Sequence, residues 1–105
     1  MPQQIAFRMN LFPGRAAEYR KRHDEIFPDL VVALKAAGVS DYSIWLDPEA
    51  NHLFGTLTLA DGGSLDGLPE TEVVKHWWAH MADLMATDAD NVPVQIPLKR
   101  VFHLP

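Results

Sequence analysis

Two ring side chains one helical turn apart could carry proton chemistry. Tyr19 and His23 are four residues apart, in a stretch whose apolar residues recur at helical spacing. Residues at i and i+4 are neighbours on one face of a helix. An imidazole titrates near ~6.5 when unperturbed, where proton transfer at neutral pH is easiest. The pair therefore predicts a polar pocket with His23 as its proton-transferring group. The alternative is a pair of core rings whose polar atoms find hydrogen-bond partners.

A second pair, Trp77 and Trp78, offers aromatic surface. Adjacent residues of a helix point about 100° apart, so one indole can anchor the helix while the other reaches the edge of a pocket. Aromatic faces pack against the C–H surfaces of a sugar, and the indole nitrogen donates to hydroxyl groups. Taken alone, the pair is more typical of core packing than of ligand contact.

His76 and His80 have the spacing with which one helix face can hold zinc. No glutamate of the metalloprotease kind lies between them, and the chain has no cysteine to complete a structural site. We therefore expect no metal site. Phosphate-binding glycine loops, nucleophile elbows and dinucleotide fingerprints are also absent, which argues against nucleotide and covalent chemistry.

The overall composition limits which classes of partner and which cellular compartment are expected. Nine basic and fourteen acidic residues give a net charge of −5 over 105 residues, the wrong sign for a surface that binds nucleic acid. The one basic run, residues 20–22, has acidic neighbours and predicts a solvent-exposed charged helix face. The lack of cysteine, of a signal peptide and of an apolar run near ~20 residues favours a cytoplasmic protein without a membrane anchor.

Four segments carry the signals of β-strands. The first alternates strictly between apolar and other side chains, which is typical of a strand with one buried face. The turn sequence Asp47-Pro48-Glu49-Ala50-Asn51 joins the second and third segments and predicts an antiparallel hairpin. The predicted strands are residues 5–11, 42–46, 53–59 and 98–104.

Two helical patterns lie between these strands. The first runs over residues 15–37 and ends at Gly38, and Pro28 should kink it near residues 24–27 because proline lacks a backbone donor. The second runs over residues 69–85. The order is βαββαβ, so we expect a single α+β domain over residues 1–105. This ferredoxin-like fold has one antiparallel sheet with both helices on one face.

The predicted sheet has apolar residues on both faces. Phe54 alternates with Leu53, and Trp45 with Ile44. Two helices can cover only one face, so the other needs a partner. We expect a homodimer in which a second copy covers it.

An ordered set of motifs runs through the chain: Glu18-Tyr19, Arg22-His23, Pro28-Asp29-Leu30, Asp41-Tyr42, Leu46-Asp47, Trp77-Trp78, Met81, Asp90-Asn91, Pro93, and Phe102 with Leu104-Pro105. With this set the sequence closely resembles the L-rhamnose mutarotases over essentially its whole length. It departs from the family pattern at Phe27, in residues 88–91 and in the loop over residues 61–67.

The resemblance implies an isomerase that interconverts the α and β anomers of L-rhamnopyranose without a metal or organic cofactor. It implies a dimer with an α/β-barrel-like architecture. His23 matches the family's proton donor, and Tyr19 matches a tyrosine that contacts substrate. Tyr42, Trp77 and Trp78 match further substrate contacts.

Two alternatives stay open from the sequence alone. Cofactor-free monooxygenases and haem-degrading enzymes use similar dimeric barrels with histidine and tryptophan in the pocket, and fold analogy cannot separate the chemistries. A sugar-binding module without catalysis is the other alternative.

Overall fold

The computed structural model describes residues 1–105, which form a four-stranded antiparallel sheet and three α-helices. The elements are β1 (Gln3–Asn10), α1 (Ala16–Asp24), α2 (Pro28–Ala36), β2 (Val39–Asp47), β3 (His52–Leu59), α3 (Glu72–Met81) and β4 (Ile96–Pro97). The strand order β2-β3-β1-β4 is that of the split βαβ arrangement. The predicted ferredoxin-like α+β fold is confirmed. Its longest α-helix has ten residues, so no helix is able to cross a bilayer.

The core lies between the helices and one face of the sheet. The alternation predicted for the first strand is confirmed, because Phe7 and Met9 are buried on that face together with Leu53 and Leu57 of β3. Each helix contributes to the same cluster. The buried helical side chains are Tyr19, Leu30, Val74, Trp77 and Met81.

The predicted kinked helix is two separate helices. Phe27 has φ −59° and ψ 124°, an extended conformation that the following proline favours because its ring crowds a helical predecessor. The helix therefore ends at Asp24 and restarts at Pro28, close to the predicted kink. Gly38 has φ +97° and ends α2 as expected.

A β-bulge in β2 was not predicted. Ser40 pairs with Thr58 and Ser43 with Thr56, so Asp41 and Tyr42 together oppose the single residue between those threonines. Asp41 has a left-handed φ of 48°, which aspartate tolerates better than most residues with a side chain. The extra residue shifts the alternation of side chains by one. Tyr42 consequently lies on the helix-covered face.

The prediction of a strand over residues 98–104 is wrong. The last strand is β4, two residues earlier in the chain, and only the Leu98 N–H continues the pairing, to the Ala6 carbonyl at 3.0 Å. Because the adjacent Leu98 donates to β1, the nitrogen of Pro97 faces the open edge of the sheet, where a residue without an N–H is tolerated. The apolar side chains that follow are largely exposed: Val101 (93%), Phe102 (76%) and Leu104 (79%).

Helix α3 is shorter than the helix predicted over residues 69–85. A 3-10 turn precedes it, and Thr71 caps its start by accepting the Val74 N–H at 3.4 Å. After Met81 the chain leaves the helix in a turn, yet Leu84 and Met85 are still buried. The predicted apolar arc therefore packs as expected, although its last part is not helical.

Candidate active site

One large cavity lies between the helices and the sheet. Its volume is about 1260 Å³, and its lining is mostly apolar. The five residues predicted for the site all line it: Tyr19, His23, Tyr42, Trp77 and Trp78. Helix α1 supplies the first two, strand β2 the third and helix α3 the tryptophans.

His23 is half-buried and held in a defined orientation. Its Nδ1 lies 3.0 Å from the backbone carbonyl oxygen of Tyr19. Because a carbonyl can only accept, Nδ1 carries the hydrogen and donates it. The second ring nitrogen, Nε2, makes no hydrogen bond to the protein and is not buried. In the neutral ring Nε2 therefore has a free lone pair on the cavity side of the helix.

The surroundings of His23 favour the neutral ring. Burial lowers the pKa of His23 below its usual value of 6.5, and the hydrogen bond to Tyr19 and the charge of Asp24 only partly oppose this. The imidazole centroid lies 4.4 Å from the ring of Tyr19 and 5.3 Å from that of Trp77. The His23 ring is thus neutral at pH 7.

The two tyrosines of the cavity stay protonated. Burial raises the pKa of Tyr19 well above its usual range, and the nearby Tyr42 raises it further. Although 39% of Tyr42 is exposed, its hydroxyl lies deep enough for desolvation to raise its pKa to about 12. Phe7 packs edge-on against Tyr42 at 6.2 Å. At neutral pH both phenols can donate and accept hydrogen bonds, but neither is available as a phenolate base.

The adjacent tryptophans differ in burial. Trp77 is 8% exposed and packs edge-on against Phe27 at 5.0 Å. Trp78 is half-buried and lines the cavity. The prediction that one indole anchors the helix while the other reaches the pocket agrees with this arrangement, although Trp77 also contributes to the wall.

Arg22 does not lie on a solvated charged face as predicted for residues 20–22. Its side chain is only 18% exposed. Its Nη1 donates to the His80 carbonyl at 2.5 Å and to Asp83 Oδ1 at 2.7 Å, and its Nη2 to Asp83 Oδ2 at 3.3 Å. Nε donates to Glu18 at 3.2 Å. The sequence did not indicate this role, because His80 and Asp83 are about sixty positions away from Arg22.

His76 and His80 are not part of a group of three or more histidine or carboxylate side chains placed to hold a metal ion. The ring of His80 packs instead against Phe27 at 5.5 Å and Trp77 at 5.8 Å. His76 is exposed on α3.

Further polar residues line the cavity that the sequence did not single out. They are Arg20, Lys35, Ser40, Asp41 and Gln95. Gln95 belongs to a segment without periodicity, so nothing in the sequence indicated its position. Asp41 adjoins a residue of the predicted site, and that adjacency was the only signal for it.

The model of the L-rhamnose mutarotase family matches residues 4–104. The chain belongs to the L-rhamnose mutarotase family. An L-rhamnose mutarotase of Brucella anthropi is 57% identical over 98% of this chain and 97% of its own length. One from Rhizobium meliloti is 59% identical over 97% of this chain and 98% of its own length. The matches thus cover this chain and its mutarotase relatives nearly from end to end.

The fold also agrees with that of a solved member of the L-rhamnose mutarotase family. The crystal structure of an L-rhamnose mutarotase from Formosa agariphila superposes with a TM-score of 0.91 at 43% identity, and the match covers 98% of this chain and 99% of that one. The sheet order and helix placement described above are therefore those of a mutarotase of known structure.

Proposed function

We propose that this protein interconverts the α and β anomers of L-rhamnose, with His23 as the group that moves the proton. The observation that carries the assignment is the free Nε2 of a neutral His23, held by the bond from Nδ1 to Tyr19 at the wall of an aromatic-lined cavity. Family membership supplies the substrate class.

The reaction needs one proton to change place. The anomeric hydroxyl loses its proton, the ring oxygen gains one, and the bond between that oxygen and the anomeric carbon breaks. After rotation of the open aldehyde, the reverse steps close the ring with the hydroxyl on the opposite side. Nε2 of His23 takes the proton from the anomeric hydroxyl and then donates it to the ring oxygen. Because both oxygens are bonded to the same carbon, one nitrogen can serve both.

The other residues of the cavity position the sugar. The neutral phenols of Tyr19 and Tyr42 hydrogen-bond to sugar hydroxyls. The indoles of Trp77 and Trp78 cover the apolar face of the sugar and its methyl group. These roles require no metal and no organic cofactor.

Saturation-transfer NMR on free L-rhamnose tests the proposed function. The signals of the two anomers should exchange magnetisation faster in the presence of the protein than in buffer. A protein that binds the sugar, as judged by line broadening, but leaves the exchange rate unchanged would be a binding module and not an enzyme.

The pH dependence of the catalysed rate follows from the lowered pKa of His23. Since the ring must start neutral to take up a proton, kcat/KM should be level around neutral pH and fall as the pH drops through a value below 6.5. The exchange rate, corrected for the uncatalysed reaction, measures this profile. A rate that instead rises on acidification through the same range would make the protonated ring the active form.

A homodimer is the second part of the proposal. On the sheet face that the helices leave open, Trp45, Phe54, Arg8 and Ile96 form one cross-strand row. Trp45 is 67% exposed. Nε of Arg8 is buried in this row without a hydrogen-bond partner, which is costly unless a partner satisfies it. A second copy packed on this face would cover the tryptophan and offer acceptors to the arginine.

Replacing Trp45 with aspartate should convert the dimer into a monomer, because the charge would be buried in the proposed interface. Sedimentation velocity at micromolar concentration measures the change. Val32→Asp is the matched control, since Val32 is also 67% exposed but lies on α2. A monomeric parent protein, or a Trp45→Asp variant that still dimerises, would contradict the proposal. The cytoplasmic location is a separate proposal, which cell fractionation tests.

A further inference from the structure

Helix α1 carries two residues of the site but has little to hold it in place. It is nine residues long, Tyr19 is its only buried side chain, and no side chain caps its start. Residues 25–27 interrupt the helix before α2 begins, so the apolar contacts that Ile26 and Phe27 make with the core lie outside α1. Apolar packing along α1 is therefore too sparse to fix the position of His23 by itself.

Arg22 supplies the missing attachment. Its guanidinium reaches across to the end of α3, where Nη1 donates to the last-turn carbonyl of His80 and both terminal nitrogens donate to Asp83. Bidentate arginine–carboxylate pairs fix orientation as well as distance. The carbonyl contact adds a third point at the negative end of the helix dipole, which favours a cation.

The Arg22 contacts lie on α1 next to the two ring side chains of the site. Glu18 and Arg22 form an outer pair at i and i+4, joined at 3.2 Å, and Tyr19 and His23 form the inner pair one residue later. The helix that receives the arginine is the one that carries Trp77, whose ring lies 5.3 Å from that of His23. Movement of α1 relative to α3 would change the position of the imidazole in the cavity.

We propose that Arg22, through Asp83 and the His80 carbonyl, is the positioning residue that sets His23 against Trp77 and so holds Nε2 where the sugar is bound. This inference rests on the proposed function for its kinetic consequence. Arg22 itself does not line the cavity. The hydrogen bond from Arg22 also lowers the pKa of Asp83, so the pair stays ionised at neutral pH.

Three variants and a control test the proposal. Arg22→Gln removes both the positive charge and the bidentate hydrogen bonds to Asp83. Arg22→Lys keeps the charge but cannot form the bidentate pair. Asp83→Asn removes the negative charge that accepts these hydrogen bonds. Lys21→Gln is the control, because it removes a neighbouring positive charge on the exposed side of α1. Asp83 is 64% exposed, so its variant should fold even where an arginine variant does not.

We expect kcat to fall by about tenfold to a hundredfold in Arg22→Gln and by less in Arg22→Lys, with KM changed little. Small misplacement of a reacting group costs rates of this order. Asp83→Asn should give part of the loss, and the double variant Arg22→Gln/Asp83→Asn should be no slower than Arg22→Gln, because the two residues act as one unit. Lys21→Gln should match the parent.

A second measurement does not depend on catalysis. In the ligand-free protein, the His23 ring protons should shift in the NMR spectrum of Arg22→Gln and of Asp83→Asn, because the ring leaves its place beside Trp77. A purely structural role would lower the melting temperature but leave kcat and the His23 signals of the folded protein unchanged, and that result would overturn the proposal. If the parent enzyme does not exchange anomers, the proposed function fails, and the His23 signals alone decide the positioning role.

Discussion

Replacing His23 with glutamine is expected to slow the exchange of L-rhamnose anomers by about 10²–10⁴-fold, which is the usual contribution of positioned proton transfer. Glutamine fills a similar volume and can still hydrogen-bond, but it cannot carry a proton between two oxygens. Because the tyrosines of the cavity stay protonated, no neighbouring group is available to replace the imidazole. The measurement is the saturation-transfer rate at saturating sugar, with circular dichroism to confirm the fold.

His80→Gln is the matched control for this variant. His80 also lies beside Trp77, at 5.8 Å between the rings, but it does not line the cavity. Its replacement should leave the exchange rate close to that of the parent. A His23→Gln protein that equilibrates the anomers at the parent rate would remove His23 from the mechanism.

The two adjacent tryptophans should respond to alanine in opposite ways. Trp77→Ala is expected to cost about 3–5 kcal/mol of unfolding free energy, the usual loss when a buried large aromatic is truncated. That is a large share of the roughly 5–15 kcal/mol by which domains are stable. Trp77 packs against His23, Phe27 and His80, so its removal would leave a hole between α1 and α3.

Compared with Trp77→Ala, Trp78→Ala should lower the free energy of unfolding less and should weaken the binding of L-rhamnose more. Its indole is half-buried at the cavity wall, so the variant should fold with a smaller loss and show a raised KM for L-rhamnose. Urea unfolding and the concentration dependence of the exchange rate measure the two effects separately. Equal losses of stability in both variants would contradict the division of roles.

The sequence predicted those parts of the fold that depend on local patterns. Strict alternation located β1, the turn after Asp47 located the hairpin, and Gly38 located the end of α2. It also placed His23 beside Tyr19, because the i, i+4 relation needs only one helical turn. These features are encoded within a few residues of where they occur.

Features that depend on distant parts of the chain were not predicted. Arg22 was assigned to a solvated face because its neighbours in sequence are charged, whereas its partners His80 and Asp83 come from α3 and the turn after it. The end of the sheet was misplaced because apolar residues near the C-terminus suggested a strand. The pairing there is instead with Phe7 and Arg8 of β1, about ninety positions earlier in the chain.

The bulge at Asp41 means that the length of this segment matters as much as its composition. One residue added at this point decides whether the phenol that follows faces the cavity or the open side of the sheet, since successive side chains of a strand point to opposite faces. The alternation of side chains between the two faces of β2 is thus set at Asp41, which has a left-handed φ of 48°. A chain that gained or lost one position here would keep its sheet but would turn this hydroxyl away from the cavity.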